Sequence, residues 1–90
     1  MEKKRIHFTF RGDVQGVGFR WRASQAARMY GLTGWVENEY DGTVEMELQG
    51  TDSEINAVLD MISSGRFVDI TDVRKKYIPL EDERDFRIIG

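Results

Sequence analysis

The chain contains no cysteine. That absence excludes a disulfide framework, a cysteine-rich zinc or iron–sulfur site and a thiolate nucleophile. Histidine occurs once, as His7, so with no cysteine a His/Cys metal set cannot be assembled, and Ser24, Ser53, Ser63 and Ser64 have no plausible His partner for a triad. Proline also occurs once, as Pro79, and no low-complexity tract is present, which rules out a disordered or collagen-like chain. No stretch approaches the ~18 apolar residues of a membrane span. Met1 to Phe10 alternates charged and apolar residues and lacks the apolar block of a secretory signal, so a cytoplasmic protein without a membrane partner is expected. Basic excess is missing too. Thirteen Lys and Arg against 16 Asp and Glu leave a net charge of -3, so nucleic acid is not an expected partner and any anion site is local.

What is present is the composition of a globular domain, 40% hydrophobic and 32% charged over 90 residues, which sets one domain over residues 1–90. Ile6, Phe8 and Phe10 alternate with Arg5, His7 and Thr9, the period-two pattern of a half-buried strand. Phe19, Ala23, Ala26, Ala27 and Tyr30 then recur at helical spacing up to Gly31, predicting a helix from Phe19 to Tyr30. Thr33 to Asn38 and Thr43 to Gln49 read as two strands of a hairpin, because Asp41-Gly42 between them favours a tight turn. Thr51 with Glu54 has the form of a capping box ahead of a helical stripe of Ile55, Val58, Leu59 and Ile62 that stops at Gly65. Val73 to Ile78 reads as a strand whose Arg74-Lys75-Lys76 discourages edge pairing, and Phe86 to Ile89 as a short last strand. The acidic run Glu81-Asp82-Glu83 reads as a solvated loop. The order predicts an α+β fold, a ferredoxin-like double split βαβ, with an antiparallel sheet of four to five strands and two helices on one face.

The densest feature is Gly12-Asp13-Val14-Gln15-Gly16-Val17-Gly18-Phe19-Arg20, between a strand and a helix start. Its glycines let backbone approach a ligand, successive N–H groups form an anion nest, and the helix N-terminus adds positive potential. Arg20 adds a forked, permanently charged clamp for phosphoryl or carboxylate oxygens. A plain strand-to-helix turn needs the same glycines, and spacing alone does not separate the two readings. The run lacks the Lys-Ser/Thr of a Walker motif, and Trp21 stands where a dinucleotide fingerprint has its third glycine. Asn38, before the hairpin turn, can donate and accept at once, which suits holding a water; it also suits a turn-favouring residue at a strand end. Phe8 and Phe10 share the face of Ile6 and read as core, not as base-stacking aromatics.

Gly12-x-Val14-Gln15-Gly16-Val17-Gly18-Phe19-Arg20, followed by Gly31-Leu32-Thr33-Gly34-Trp35-Val36-x-Asn38-x-x-Asp41-Gly42-Thr43-Val44 and Gly50, resembles acylphosphatase over nearly the whole chain. The resemblance implies a ferredoxin-like sheet with an added strand. It implies hydrolysis of the carboxyl-phosphate bond of a small acyl phosphate to a carboxylate and inorganic phosphate, with no metal and no cofactor. It assigns phosphoryl binding to Arg20 and to backbone N–H groups within Gln15, Gly16, Val17, Gly18 and Phe19, and positioning of the attacking water to Asn38. A monomer is expected. Asp13 departs from the family, which usually carries a basic or neutral residue there; reduced phosphate affinity relative to Asp13→Arg is expected, by repulsion if the carboxylate points into the site and to a small extent if it points to solvent. The segment from Ser63 to Val73 also lacks the Pro-rich turn of many bacterial relatives. Two other readings stand beside the hydrolase: a noncatalytic anion-binding or regulatory module, and a carbamoyl-phosphate-handling domain like that at the start of larger hydrogenase-maturation proteins. Asn38 and the absence of a second domain favour a free-standing hydrolase.

Overall fold

A computed structural model describes residues 2–90. The alternation that opens the chain becomes a long strand, β1 (Lys4–Asp13), followed by α1 (Phe19–Met29), β2 (Thr33–Asn38), β3 (Val44–Gly50), α2 (Asp52–Ser63), β4 (Asp69–Ile78) and β5 (Phe86–Ile88). The strands lie in the order β4-β1-β3-β2-β5. β1 pairs antiparallel with β3 and β4, and β2 antiparallel with β3, which is the ferredoxin-like core of the expected fold. β5 instead runs parallel to β2, so the sheet is mixed and not purely antiparallel. The reason is the connection: after β4 the chain crosses the open face of the sheet to its far edge and re-enters alongside β2.

Ile6, Phe8 and Phe10 of β1, Val44, Met46 and Leu48 of β3 and Val36 of β2 form one buried face of the sheet. Ala23, Ala26 and Ala27 of α1 and Ile55, Val58 and Ile62 of α2 close over it. Small residues on α1 let it approach the sheet closely, while the branched residues of α2 fill the rest of the layer. The capping box forms as expected, with Thr51 accepting from the Glu54 N–H at 3.3 Å and Glu54 accepting from the Thr51 N–H at 2.9 Å. α1 ends one residue early; Tyr30 caps it and stays 39% exposed instead of completing the buried stripe. Phe19, the first residue of α1, packs its ring 4.9 Å from that of Phe10 and pins the helix start to β1.

Strand β4 begins at Asp69, four residues before the expected Val73, because β1 continues past Phe10 and offers Gly12 and Asp13 as partners to Ile70 and Asp69. A register shift between Arg11 and Gly12 bends this corner towards the following loop. Glu81-Asp82-Glu83 is not simply solvated. Glu83 pairs with Arg5 at 2.6 Å and Glu81 exchanges two 2.9 Å hydrogen bonds with the Gln49 side chain, strapping the β4–β5 connection across the open face. Among the described residues no helix is long and apolar enough to cross a membrane.

Candidate active site

Val14 is buried, and it anchors the start of the loop that joins β1 to α1. Gly16 and Gly18 then take φ of 71° and 83°, a region that a side chain strongly disfavours. Gly18 is the N-cap of α1 and supplies no side-chain cap, so the helix start keeps its donors open. Among the described residues no acceptor meets the N–H groups of Gln15 to Trp21; the first to bond back is that of Arg22, to the Gly18 carbonyl at 3.0 Å. No acidic residue lies in the first turn of α1. The result is a run of unpaired amides at the positive end of a helix, an arrangement that attracts an anion.

A cavity of about 270 Å³ opens over this run. Gly16, Gly18 and Arg20 line it from the loop and α1, Asn38 from the end of β2, and Trp21 and Ile88 from α1 and β5. The structure therefore brings Arg20 and Asn38, which are far apart in sequence, to one cavity. Asn38 is held by its backbone, whose N–H donates to the Gly90 carbonyl at 2.7 Å. Its side-chain Oδ1 is buried and has no hydrogen-bond partner. A buried amide oxygen without a donor is costly, on the order of 1–3 kcal/mol, unless a ligand or water supplies one.

The hairpin beyond Asn38 turns at Asp41-Gly42 as expected. Asp41 Oδ1 accepts from the Thr43 hydroxyl at 2.7 Å and from its N–H at 3.0 Å, and these bonds hold the Asp41 carboxyl below its ordinary value. Gln15 is bound to this turn. Its side-chain amide donates to the carbonyls of Glu39 at 2.5 Å and Thr43 at 2.9 Å, and so ties the loop to the hairpin that carries Asn38. Of the residues expected in the phosphate cradle, Gly16, Gly18, Phe19 and Arg20 border the cavity, whereas the side chain of Gln15 is turned to the hairpin and that of Val17 packs on the core. Sequence reasoning missed this tie and the Trp21 and Ile88 wall. No local signal marks them, since the partners of Gln15 lie 24 and 28 residues away.

A sequence model of the acylphosphatase family matches residues 6–88. The chain belongs to the acylphosphatase family. The acylphosphatase of Geobacillus kaustophilus (strain HTA426) is 43% identical over 94 residues, covering 96% of this chain and 94% of that protein. The crystal structure of acylphosphatase from Bacillus subtilis superposes with a TM-score of 0.88 at 30% identity, covering 97% of this chain and 99% of that one. Full-length HypF, crystallised in a phosphate- and nucleotide-bound form, contains a similar unit: TM-score 0.88, 26% identity, 99% of this chain but 12% of HypF. Family membership makes this chain an enzyme of the acylphosphatase class.

Within this acylphosphatase fold the departure at Asp13 is a matter of position. Asp13 is exposed, ends β1 opposite Asp69 of β4, and is not among the residues lining the cavity. An exposed carboxylate is screened by solvent, which weakens its effect on the cradle.

Proposed function

We propose that the cavity hydrolyses small acyl phosphates, with Arg20 and the N–H groups of the Gln15 to Phe19 loop binding the phosphoryl oxygens and Asn38 orienting the attacking water. The observation that carries this reading is that Asn38, whose buried Oδ1 has no hydrogen-bond partner, lines the same cavity as Arg20. Oδ1 accepts one water hydrogen and leaves the water lone pair free for phosphorus, while the guanidinium and amides sit where equatorial charge develops. Water attacks phosphorus, the bond from phosphorus to the acyl oxygen breaks, and its electron pair leaves on the carboxylate. Both water protons end on the phosphate, so a dianionic acyl phosphate gives one carboxylate and one dihydrogen phosphate. A carboxylate leaves readily, and the chemistry makes no demand for a strong general acid.

A noncatalytic anion-binding module has use for Arg20 and the loop but none for a buried acceptor at Asn38. The decisive experiment is steady-state hydrolysis of benzoyl phosphate with EDTA present, for the wild type, Arg20→Ala and Asn38→Ala. Each variant is expected to lose ~10²- to 10³-fold in kcat/KM, as for single donors of comparable oxyanion sites. An inactive wild type that still binds phosphate through Arg20 would replace this reading with the binding module; activity abolished by EDTA would remove its metal independence. We also read the chain as a one-domain cytoplasmic monomer, which sedimentation and cell fractionation test directly.

A further inference from the structure

Trp21 is the third residue of α1 and 63% exposed, and Ile88 of β5 is 46% exposed. Isolated exposed hydrophobic residues are ordinary on protein surfaces. These two are not isolated, because both border the cavity that holds Arg20 and Asn38. The buried Phe19 and Val14 back the same cavity, and among the described residues Arg20 is the one charged side chain lining it. When Arg20 and the loop amides hold a phosphoryl group, the cavity wall has no second cation for an anionic acyl tail. Pressing such a tail against indole and isoleucine strips its water without a partner.

We propose that Trp21 and Ile88 form the seat of the acyl group and select acyl phosphates whose acyl part is neutral, flat and apolar. An aroyl phosphate is preferred to a short aliphatic one and to one with an anionic tail; this rests on the hydrolase reading above. The indole offers a ring a face to stack on and apolar area to cover, and acetyl brings a single methyl to the same wall. The cavity, at about 270 Å³, is near the lower end of small-molecule clefts and suits one ring beside a phosphoryl group.

The test compares kcat/KM for benzoyl, 4-carboxybenzoyl and acetyl phosphate in the wild type, Trp21→Ala, Trp21→Phe and Ile88→Ala. The wild type is expected to favour benzoyl over each of the others by about tenfold or more, in the range that a hydrophobic pocket achieves. Trp21→Ala lowers the benzoyl-to-acetyl ratio about tenfold, chiefly through KM, and Trp21→Phe retains most of it. A ratio unaffected by Trp21→Ala, or no preference in the wild type, overturns the seat. An arm independent of turnover uses Trp35→Phe, in which Trp21 is the sole indole, with benzoylphosphonate and acetylphosphonate as uncleavable probes. Benzoylphosphonate is expected to shift the Trp21 emission and acetylphosphonate to shift it less; equal or absent shifts overturn the proposal. Hydrolysis of all three substrates at equal efficiency removes the seat alone. Hydrolysis of none removes the hydrolase reading, and the emission arm still decides the seat.

Discussion

At the scale of single residues, His7 shows how the polar face of a strand acquires chemistry. Its period-two position put it on the face opposite Ile6 and Phe8, but nothing local indicated what it would meet there. The structure places Nδ1 2.7 Å from Glu47 Oε2 and Nε2 3.0 Å from Glu45 Oε1, with the Trp35 ring edge-on at 5.7 Å. Burial opposes charge on the imidazole, but hydrogen bonds to Glu45 and Glu47 and their negative charge outweigh it, and the His7 pKa is raised above 6.5. Arg5 beside it on β1 and Lys76 opposite it on β4 work in the other direction without reversing the shift. A raised folded-state pKa means that stability from protonated His7 is fully present below the unfolded value of 6.5 and is lost as pH rises through the folded value. Thermal melts carried upward in pH from about 6 should therefore show a decline attributable to His7. His7→Gln should lack that component; parallel curves for the two proteins would show that the ion pairs contribute nothing.

At the scale of elements, the loop between β1 and α1 depends on a residue whose side chain lies outside the cavity. Gln15 bridges that loop to the β2–β3 hairpin, so one side-chain amide links the amide cradle to the hairpin that carries Asn38. Gln15→Ala removes both hydrogen bonds, but the Glu39 and Thr43 carbonyls keep backbone donors in Gly42 and Glu39. No buried carbonyl is orphaned, so the stability cost is small, about 1 kcal/mol. Activity is more sensitive, because a displacement of about 1 Å in a site of this kind can cost on the order of 10²-fold. The expected outcome is a near-wild-type urea midpoint with kcat reduced by roughly 10- to 100-fold. Equal losses in stability and rate would make Gln15 a purely structural residue. The resemblance to the family implies phosphate binding by the Gln15 N–H, and adjacency in sequence does not say which way its side chain turns.

At the scale of the whole molecule, Arg5 joins parts of the chain that are 78 residues apart. Its side chain is fully buried and meets Glu47 at 2.8 Å and Glu83 at 2.6 Å, with Glu81 at 3.4 Å. This clamp holds the β4–β5 connection on the open face of the sheet, and β5 in turn supplies Ile88 to the cavity. The Ile89 N–H then bonds the Val36 carbonyl, and the Gly90 carbonyl receives the Asn38 N–H. Arg5→Ala leaves three carboxylates, Glu47, Glu81 and Glu83, without their buried partner and should cost about 3–5 kcal/mol, a large part of the stability of a small domain. Urea unfolding measures it; a loss below about 1 kcal/mol would mean that the carboxylates turn to solvent at no cost. The elements that the sequence by itself determined are those encoded by short-range period and turn chemistry. They are the alternation of β1 and β3, the Asp41-Gly42 hairpin, the Thr51 capping box, and the glycines that let the loop adopt positive φ before α1. Alternation along Arg5 to Phe10 also determined which face of β1 is core. Only the tertiary structure decided that β5 runs parallel, that β4 starts at Asp69, and that Glu81 and Glu83 serve as a strap. It also decided that Trp21 and Ile88 share a wall with Arg20 and Asn38. Each of these depends on contacts between residues distant in sequence, whose formation is governed by chain crossing and packing and leaves no periodic trace in the residues themselves.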